Sequence, residues 1–364
     1  MLISYPRTRI GISATAALLL TSGCTTAPNV DSVLPAPDVA RQLQQPEPGE
    51  SRLANIRQLT NGGENAEAYW SPDGSQLIFQ STRDGRTCDQ QYVMNADGSG
   101  LRRVTTGTGK TTCGYFFDDG KRIFFSSTHH VDAACPARPD ASQGYVWRID
   151  PFDIYTANAD GSNLERLTHY GTYTTEAVLS PDGRRMVFTS LKDGDLDLYT
   201  MNVDGTDVRR LTDRAGYDGG AWWSPDGTKI VYRAHHPTDS ALADYRALLA
   251  QNMIRPNRME LFVMNADGSD QRQITNLGGA NFGPTWTPDG QRILFSSNHR
   301  NPRSRNFDLY LVGLDGTGLE QVTTHEEFDG FPMFSRDGRQ LVWASNRHAS
   351  QPNSTNIFVA DWVP

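Results

Sequence analysis

The chain has 364 residues, with 37% hydrophobic and 10% aromatic side chains, 33 glycines and 20 prolines. That composition describes a turn-rich folded protein with chain enough for a large core, and it excludes disorder throughout. The formal charge of −8 lacks the basic footprint that nucleic acids and anionic polymers require, so no nucleic acid is expected as a partner.

At the N-terminus Arg7 and Arg9 precede an apolar run from Ile10 to Leu20, and Thr21-Ser22-Gly23-Cys24 follows. A basic start, an apolar segment too short to span a bilayer and a small-residue site read as an export signal over residues 1–23. The four closing residues resemble a bacterial lipobox. That resemblance implies a lipid on Cys24, and Thr25 in place of Asp implies sorting to the outer membrane. The chain is therefore expected to be exported, periplasmic and held to the membrane by a lipid anchor. Residues 24–51 carry Pro28, Pro35, Pro37, Pro46 and Pro48 with few large apolar side chains, and read as a flexible tether. Cys88, Cys113 and Cys135 remain. In an exported protein they predict one disulfide and one spare thiol, with three pairings open.

From residue 52 onward one turn recurs six times: Ser71-Pro72-Asp73-Gly74, Phe117-Asp118-Asp119-Gly120, Ser180-Pro181-Asp182-Gly183, Ser224-Pro225-Asp226-Gly227, Thr287-Pro288-Asp289-Gly290 and Ser335-Arg336-Asp337-Gly338. Pro presets φ, Asp bonds the local backbone and Gly takes the left-handed conformation that closes a hairpin. Trp70, Phe116, Leu179, Trp223, Trp286 and Phe334 stand before the turns. Phe79, Phe125, Phe188, Tyr232, Phe295 and Trp343 stand five residues after each Gly. These apolar flanks predict buried strands on both sides of the turn. A second Asp-Gly turn follows at Gly98, Gly161, Gly205, Gly268 and Gly316, which makes four strands per repeat. Charged residues such as Arg102, Arg103, Arg209 and Arg210 in the fourth strand suit an outer edge that must not pair with other chains.

The spacing is regular except in one place. From the second Gly to a closing Thr (Thr105, Thr168, Thr212, Thr275, Thr323) the gap is always 7, and from that Thr to the next turn Gly it is always 15. Between the two glycines of a repeat it is 24, 41, 22, 41 and 26. All insertions therefore fall between strands two and three, and in an up-and-down blade that loop lies on the same face as the connection to the next blade. Loops grow where function is placed, so this loop face is the expected binding face. The sixth repeat lacks a fourth strand, and Asn55 to Thr60 reads like the closing strand of the others. The fold class is all-β: over residues 52–364, a six-bladed β-propeller of four-stranded antiparallel blades, closed by an N-terminal strand in the last blade and expected to be monomeric.

The Ser-Pro-Asp-Gly turns and the segment Met94-Asn95-Ala96-Asp97-Gly98 resemble the TolB-type, WD-like propeller family over about residues 52 to 362. The resemblance implies the fold firmly and the function loosely, because such propellers serve as adaptors, as gating domains of enzymes and in lyases.

All eight histidines fall after strand two or strand four. On the loop face stand His129, His130, His235, His236, His299 and His348, and a divalent metal is the one cofactor they could take, with His130 and His236 the best placed. The plain reading is that His favours polar loops, since no His-x-His or His-Glu-x-x-His spacing occurs. Nine residues before each turn Gly stand Asn65, Thr111, Thr174, Asp218, Asn281 and Asp329, expected as a polar collar at the channel mouth, with Glu67 and Glu176 two places further on. These carboxylates could hold a cation or a basic partner segment. Asp239 to Ala250 predicts a helix, with Tyr245 on its apolar side. No nucleophile elbow is present. The reading is a binding module in the cell envelope that engages a protein or peptide through the loop face. The alternative is a metal-dependent carbohydrate lyase or hydrolase, because the resemblance extends to oligogalacturonate lyases that use a His-bound metal on this face.

Overall fold

The computed structural model describes residues 43–139, 142, 144–349 and 354–364. Cys24, the export signal and most of the segment expected as a tether lie outside them. Within these residues six four-stranded antiparallel sheets are arranged as blades. Blade one is built from Glu64–Trp70, Gln76–Thr82, Gln90–Asn95 and Arg102–Arg103, and blades two to five repeat the order from Thr111, Thr174, Tyr217 and Asn281. Blade six takes three strands from the C-terminal end, Asp329–Phe334, Gln340–Ser345 and Asn356–Trp362. Its fourth is Leu53–Gln58, which runs antiparallel to the last of these, with Leu53 opposite Trp362 and Gln58 opposite Phe358. The ring is thus latched by its own beginning, which gives blade six the outer strand that the other five blades take from their own repeat.

The hairpin turns work as their residue types dictate. In the first, the Ser71 hydroxyl donates to Asp73 (2.7 Å) and accepts from the Gln76 amide (2.9 Å). Gly74 sits at φ +71°, a conformation a side chain would strain. The aromatics flanking the turns fill the spaces between blades. Phe79, Phe188, Tyr232, Phe295 and Trp343 are fully buried. Three indoles also stitch neighbours together: Trp70 donates to the Met333 carbonyl of blade six (3.4 Å), Trp223 to Val178 of blade three (3.2 Å) and Trp286 to Trp222 of blade four (3.1 Å). Sheets packed face to face in this way are hydrophobic on both sides, which is why the strands read as continuous apolar runs.

The folded part reaches further back than the predicted boundary at residue 52. Gln44 bridges to Ile56, and the Glu50 side chain is buried against Arg347 (3.0 Å) and accepts from the Thr324 amide (3.2 Å). Glu47 meets His325 at 2.7 Å. The physical reason is charge. Arg347 is buried beside Asp329, and Glu50 supplies a second carboxylate to a guanidinium that water does not reach.

Candidate functional site

The six inner strands share a bulge at one level, where the pairing register shifts in every blade. The residue at the bulge is left-handed in all six: Glu67 (φ 52°), Cys113 (52°), Glu176 (57°), Gly220 (59°), Gly283 (51°) and Phe331 (55°). Four of these are not glycine, and side chains held at such angles cluster where a fold keeps a position for use. Each stands seven residues before its turn Gly. Mixed residue types at that position hide the regularity from a search for consensus. The outcome is a ring around the channel with a polar half from blades one to three and a bare or aromatic half from blades four to six.

The two carboxylates of the ring are treated differently. Glu176 is paired with Arg233 of the next blade. It also accepts from the Thr189 hydroxyl (2.7 Å) and the Gly220 amide (2.9 Å). Burial works against the Arg233 charge, but Glu176 and the neighbouring tyrosines hold its pKa above the ordinary value. Glu67 makes no ion pair among the described residues, although the Arg233 charge acts on it from a distance. Burial raises its carboxyl to about 7, the Cys113 thiol within hydrogen-bonding reach lowers it somewhat, and the like charge of Glu176 raises it again. Its Oε2 is occluded and accepts no hydrogen bond among the described residues. The Cys113 thiol is raised well above its usual range by burial and by both glutamates. Cys113 is the free cysteine among the described residues. Cys88 and Cys135 form the disulfide, which ties the strand two to three loop of blade one to the insertion of blade two.

The two long insertions build the wall above this ring. The strand Trp147–Arg148 from blade two pairs with Met253–Ile254 from blade four, bridging the blade between them. The predicted helix forms over Asp239–Leu249 and buries Tyr245 and Leu248. The Tyr245 hydroxyl donates to Asp195 (2.5 Å) and to the Gly216 carbonyl (2.7 Å). Tyr245 therefore holds the helix down and is not presented to a partner. Trp147 lies over Arg233, with the guanidinium carbon 5.5 Å from the ring centre, and begins an aromatic arc. The arc runs through Phe282 (5.4 Å from Trp147), Phe307 (5.1 Å on), Phe328 (5.9 Å) and Phe331 (6.1 Å). On the other side of the ring, toward the turns, Tyr69, Tyr115 and Trp222 close on one another with centroids 4.5–5.5 Å apart and plug the channel. Below that plug a cavity of about 230 Å³ opens among Pro181, Pro225, Pro288 and Arg336. Its Ser224 and Ser335 hydroxyls are already committed to their turn aspartates.

The expected collar forms as buried joints between strands and blades, not as an open ring of ligands. Asn65 donates to the Thr355 carbonyl (2.5 Å), Thr174 shares a hydrogen bond with Ser190 (2.9 Å), and Asn281 donates to the Met259 carbonyl (2.6 Å). Thr111 is buried as well. Asp218 pairs with His236 (2.9 Å), burial raising its pKa and His236 opposing, while Asp329 takes Arg347 (3.0 Å) and the Trp343 indole (3.0 Å).

The histidines share the loop face but are not brought to one point. His129, His236 and His299 belong to a repeat that the sequence reading passed over: nine residues after each turn Gly stand Arg83, His129, Lys192, His236, His299 and Arg347. Each lies against aromatic rings of its own blade, for example Arg83 at 5.4 Å from Tyr92, His129 at 4.4 Å from Tyr155, Lys192 at 4.8 Å from Tyr199, and His299 at 4.6 Å from Tyr310. The shared trait is a polar end on an aromatic platform. Burial lowers the pKa of His129, His130, His235 and His299. His130 stands 3.2 Å from Asp153, in a different blade from His236 and its Asp218. His348 is left-handed (φ 55°), with its ring 6.2 Å from His325. Among the described residues no three His, Cys, Asp or Glu side chains converge so as to hold a metal ion.

A ring of six four-stranded blades, the last completed by the strand that precedes the first, defines a six-bladed β-propeller with its variable loops on one face. Residues 133–251 match the TolB beta propeller domain family. The fold of the chain is that of a TolB-like β-propeller. A TolB homologue of Chlorobium chlorochromatii is 25% identical over 145 residues, covering 40% of this chain and 28% of that one. A solved structure assigned as TolB from Agrobacterium tumefaciens superposes with a TM-score of 0.56 at 20% identity, over 83% of this chain and 91% of that one. An oligogalacturonate lyase in complex with manganese does so with a TM-score of 0.52 at 16% identity, over 88% and 96%. Identities this low establish the fold alone. The chain spans 34%, 28% and 15% of the length of three curated relatives that it matches.

Proposed function

We propose that this chain is a binding module of the cell envelope, held to the membrane by a lipid on Cys24, that takes a protein or peptide segment at the loop-side mouth of its channel. The observation that carries the reading is the asymmetry of that mouth. The aromatic arc from Trp147 ends at Phe331, which holds in blade six the bulge position that Glu67 holds in blade one, and the Glu67 Oε2 accepts no hydrogen bond among the described residues. A segment that lays apolar side chains on the arc and offers a hydrogen-bond donor or a cation to Glu67 would satisfy both halves. The envelope location rests on the pattern of residues 1–24 and on the TolB name of its relatives. The carbohydrate-lyase alternative calls for a metal held by histidines, and the described residues offer it no shared site, so binding is the reading taken.

Two experiments test it. Replacing Trp147 and Phe328 together by Ala is expected to weaken capture of the partner recovered from crosslinked envelopes by about tenfold or more, as expected for loss of buried aromatic anchors. Unchanged capture, or no partner above background with the unaltered protein, contradicts the reading. Metabolic labelling with an alkyne fatty acid is expected to mark the protein, and Cys24→Ser to remove the label and release the protein from membranes. A label that survives the substitution places the lipid elsewhere.

A further inference from the structure

Blade five holds a second site, apart from the channel. In blades one to five the first residue of strand three lies 15 positions before the closing Thr, and the second residue of the short fourth strand lies two positions before it; in blade six Asn356 and Gln58 take these places. In blades two and three these two residues are an ion pair. Arg166 donates to Asp153 at 2.5 Å, and Arg210 to Asp197 at 2.7 Å. In blade four Glu260 is satisfied without a cation, by the Leu277 and Gly278 amides (2.9 and 2.8 Å) and the Thr275 hydroxyl (2.6 Å).

Blade five has the carboxylate but no cation at the fourth-strand position. Asp308 is 6% exposed, and its Oδ1, like that of Asp197, accepts no hydrogen bond among the described residues. The fourth-strand residue is Gln321, which donates to Oδ2 at 3.0 Å. Gln is shorter than Arg and uncharged, and a cavity of about 200 Å³ opens over the pair. Its walls are the polar loop after strand two, with Asn298, Asn301 and Ser304, together with Tyr310. Arg300 also lines the cavity and its charge opposes the rise in the Asp308 pKa, but it makes no ion pair with Asp308 among the described residues. A single carboxylate among amides and hydroxyls is a poor cage for a metal ion and a good seat for a planar cation with several donors.

We propose that this cavity is a guanidinium site: a ligand bearing an arginine-like head enters from the loop face and places its guanidinium on Asp308, where blades two and three hold their own Arg166 and Arg210. The head comes from a free small molecule or from the arginine of a peptide, and two probes separate the sources. Agmatine and an acetylated, amidated Gly-Arg-Gly tripeptide are titrated calorimetrically into the full chain. Saturable binding of either supports the site. Binding of agmatine alone identifies a small-molecule ligand, and comparable or tighter binding of the tripeptide identifies a peptide side chain. Asp308→Asn is expected to weaken binding by about tenfold or more, the loss of a charge-assisted pair. Gln321→Arg is expected to abolish it by filling the cavity with the protein's own guanidinium, while the melting temperature rises or stays level. Three results overturn the proposal: binding unchanged in Gln321→Arg, no binding of either probe to the unaltered chain, or binding that emerges only in Arg300→Ala, which would make Arg300 the resident occupant.

Discussion

Glu67 shows how one side chain can report on the state of the channel. Its carboxyl is raised from 4.5 to about 7 in the folded protein. Between those values the folded state binds a proton that the unfolded state has released, so the group's contribution to stability falls as the pH rises from about 4.5 through about 7. The residue as a whole keeps partial exposure, so the loss is about 1–2 kcal/mol, less than the full shift would give. Glu67→Gln removes the titration. Thermal melts of the two proteins are expected to converge near pH 5 and to separate by pH 8, with the variant the more stable. A constant difference across that range would show that Glu67 keeps its ordinary acidity, and that its unpartnered oxygen does not make it a receptor for a donor. Asp197 and Asp308, also raised to about 7, shift both proteins alike and drop out of the difference.

At the scale of elements, the latch depends on charge as well as on strand pairing. Arg347 sits between Asp329 and Glu50 and over Trp343 at 5.3 Å, so the segment before the first strand is pinned to the last blade. Glu50→Ala leaves the guanidinium with one carboxylate and opens a buried gap. The expected cost is about 2–4 kcal/mol, read as a lower denaturation midpoint with an unchanged slope. A cost below about 0.5 kcal/mol would mean that the segment before residue 53 is not docked. This element also marks the limit of what the sequence makes legible. The blades, the turns, the closing strand Leu53–Gln58 and the helix can be read from periodicity and turn chemistry, because each is specified by local residue types. Glu50 lies among prolines and looks solvated, since its partner Arg347 is nearly the whole chain away. The collar residues could be placed but not interpreted, because their burial depends on neighbouring blades. The basic position nine residues after each turn was open to inspection as Arg, His, Lys, His, His and Arg, but reading the histidines alone breaks the pattern. The bulge ring carries no residue-type signal at all, only a constant offset from the turn.

For the whole molecule, the question is which end of the channel meets the partner. The loop end has the wall made by the two paired insertions, the aromatic arc and an unsatisfied carboxylate. The turn end has a hollow whose serine hydroxyls are already spent on the turns, and the Tyr69–Tyr115–Trp222 plug lies between the two ends. Site-specific photocrosslinking in cells compares them directly. Benzoylphenylalanine is placed at Tyr145, which is 72% exposed beside Trp147, and at Phe328 on the loop side, and at Pro225 and Arg336 on the turn side. The expected result is adducts to one and the same partner from Tyr145 and Phe328 and none from the turn-side positions. Adducts from Pro225 or Arg336, with none from the loop side, would contradict it.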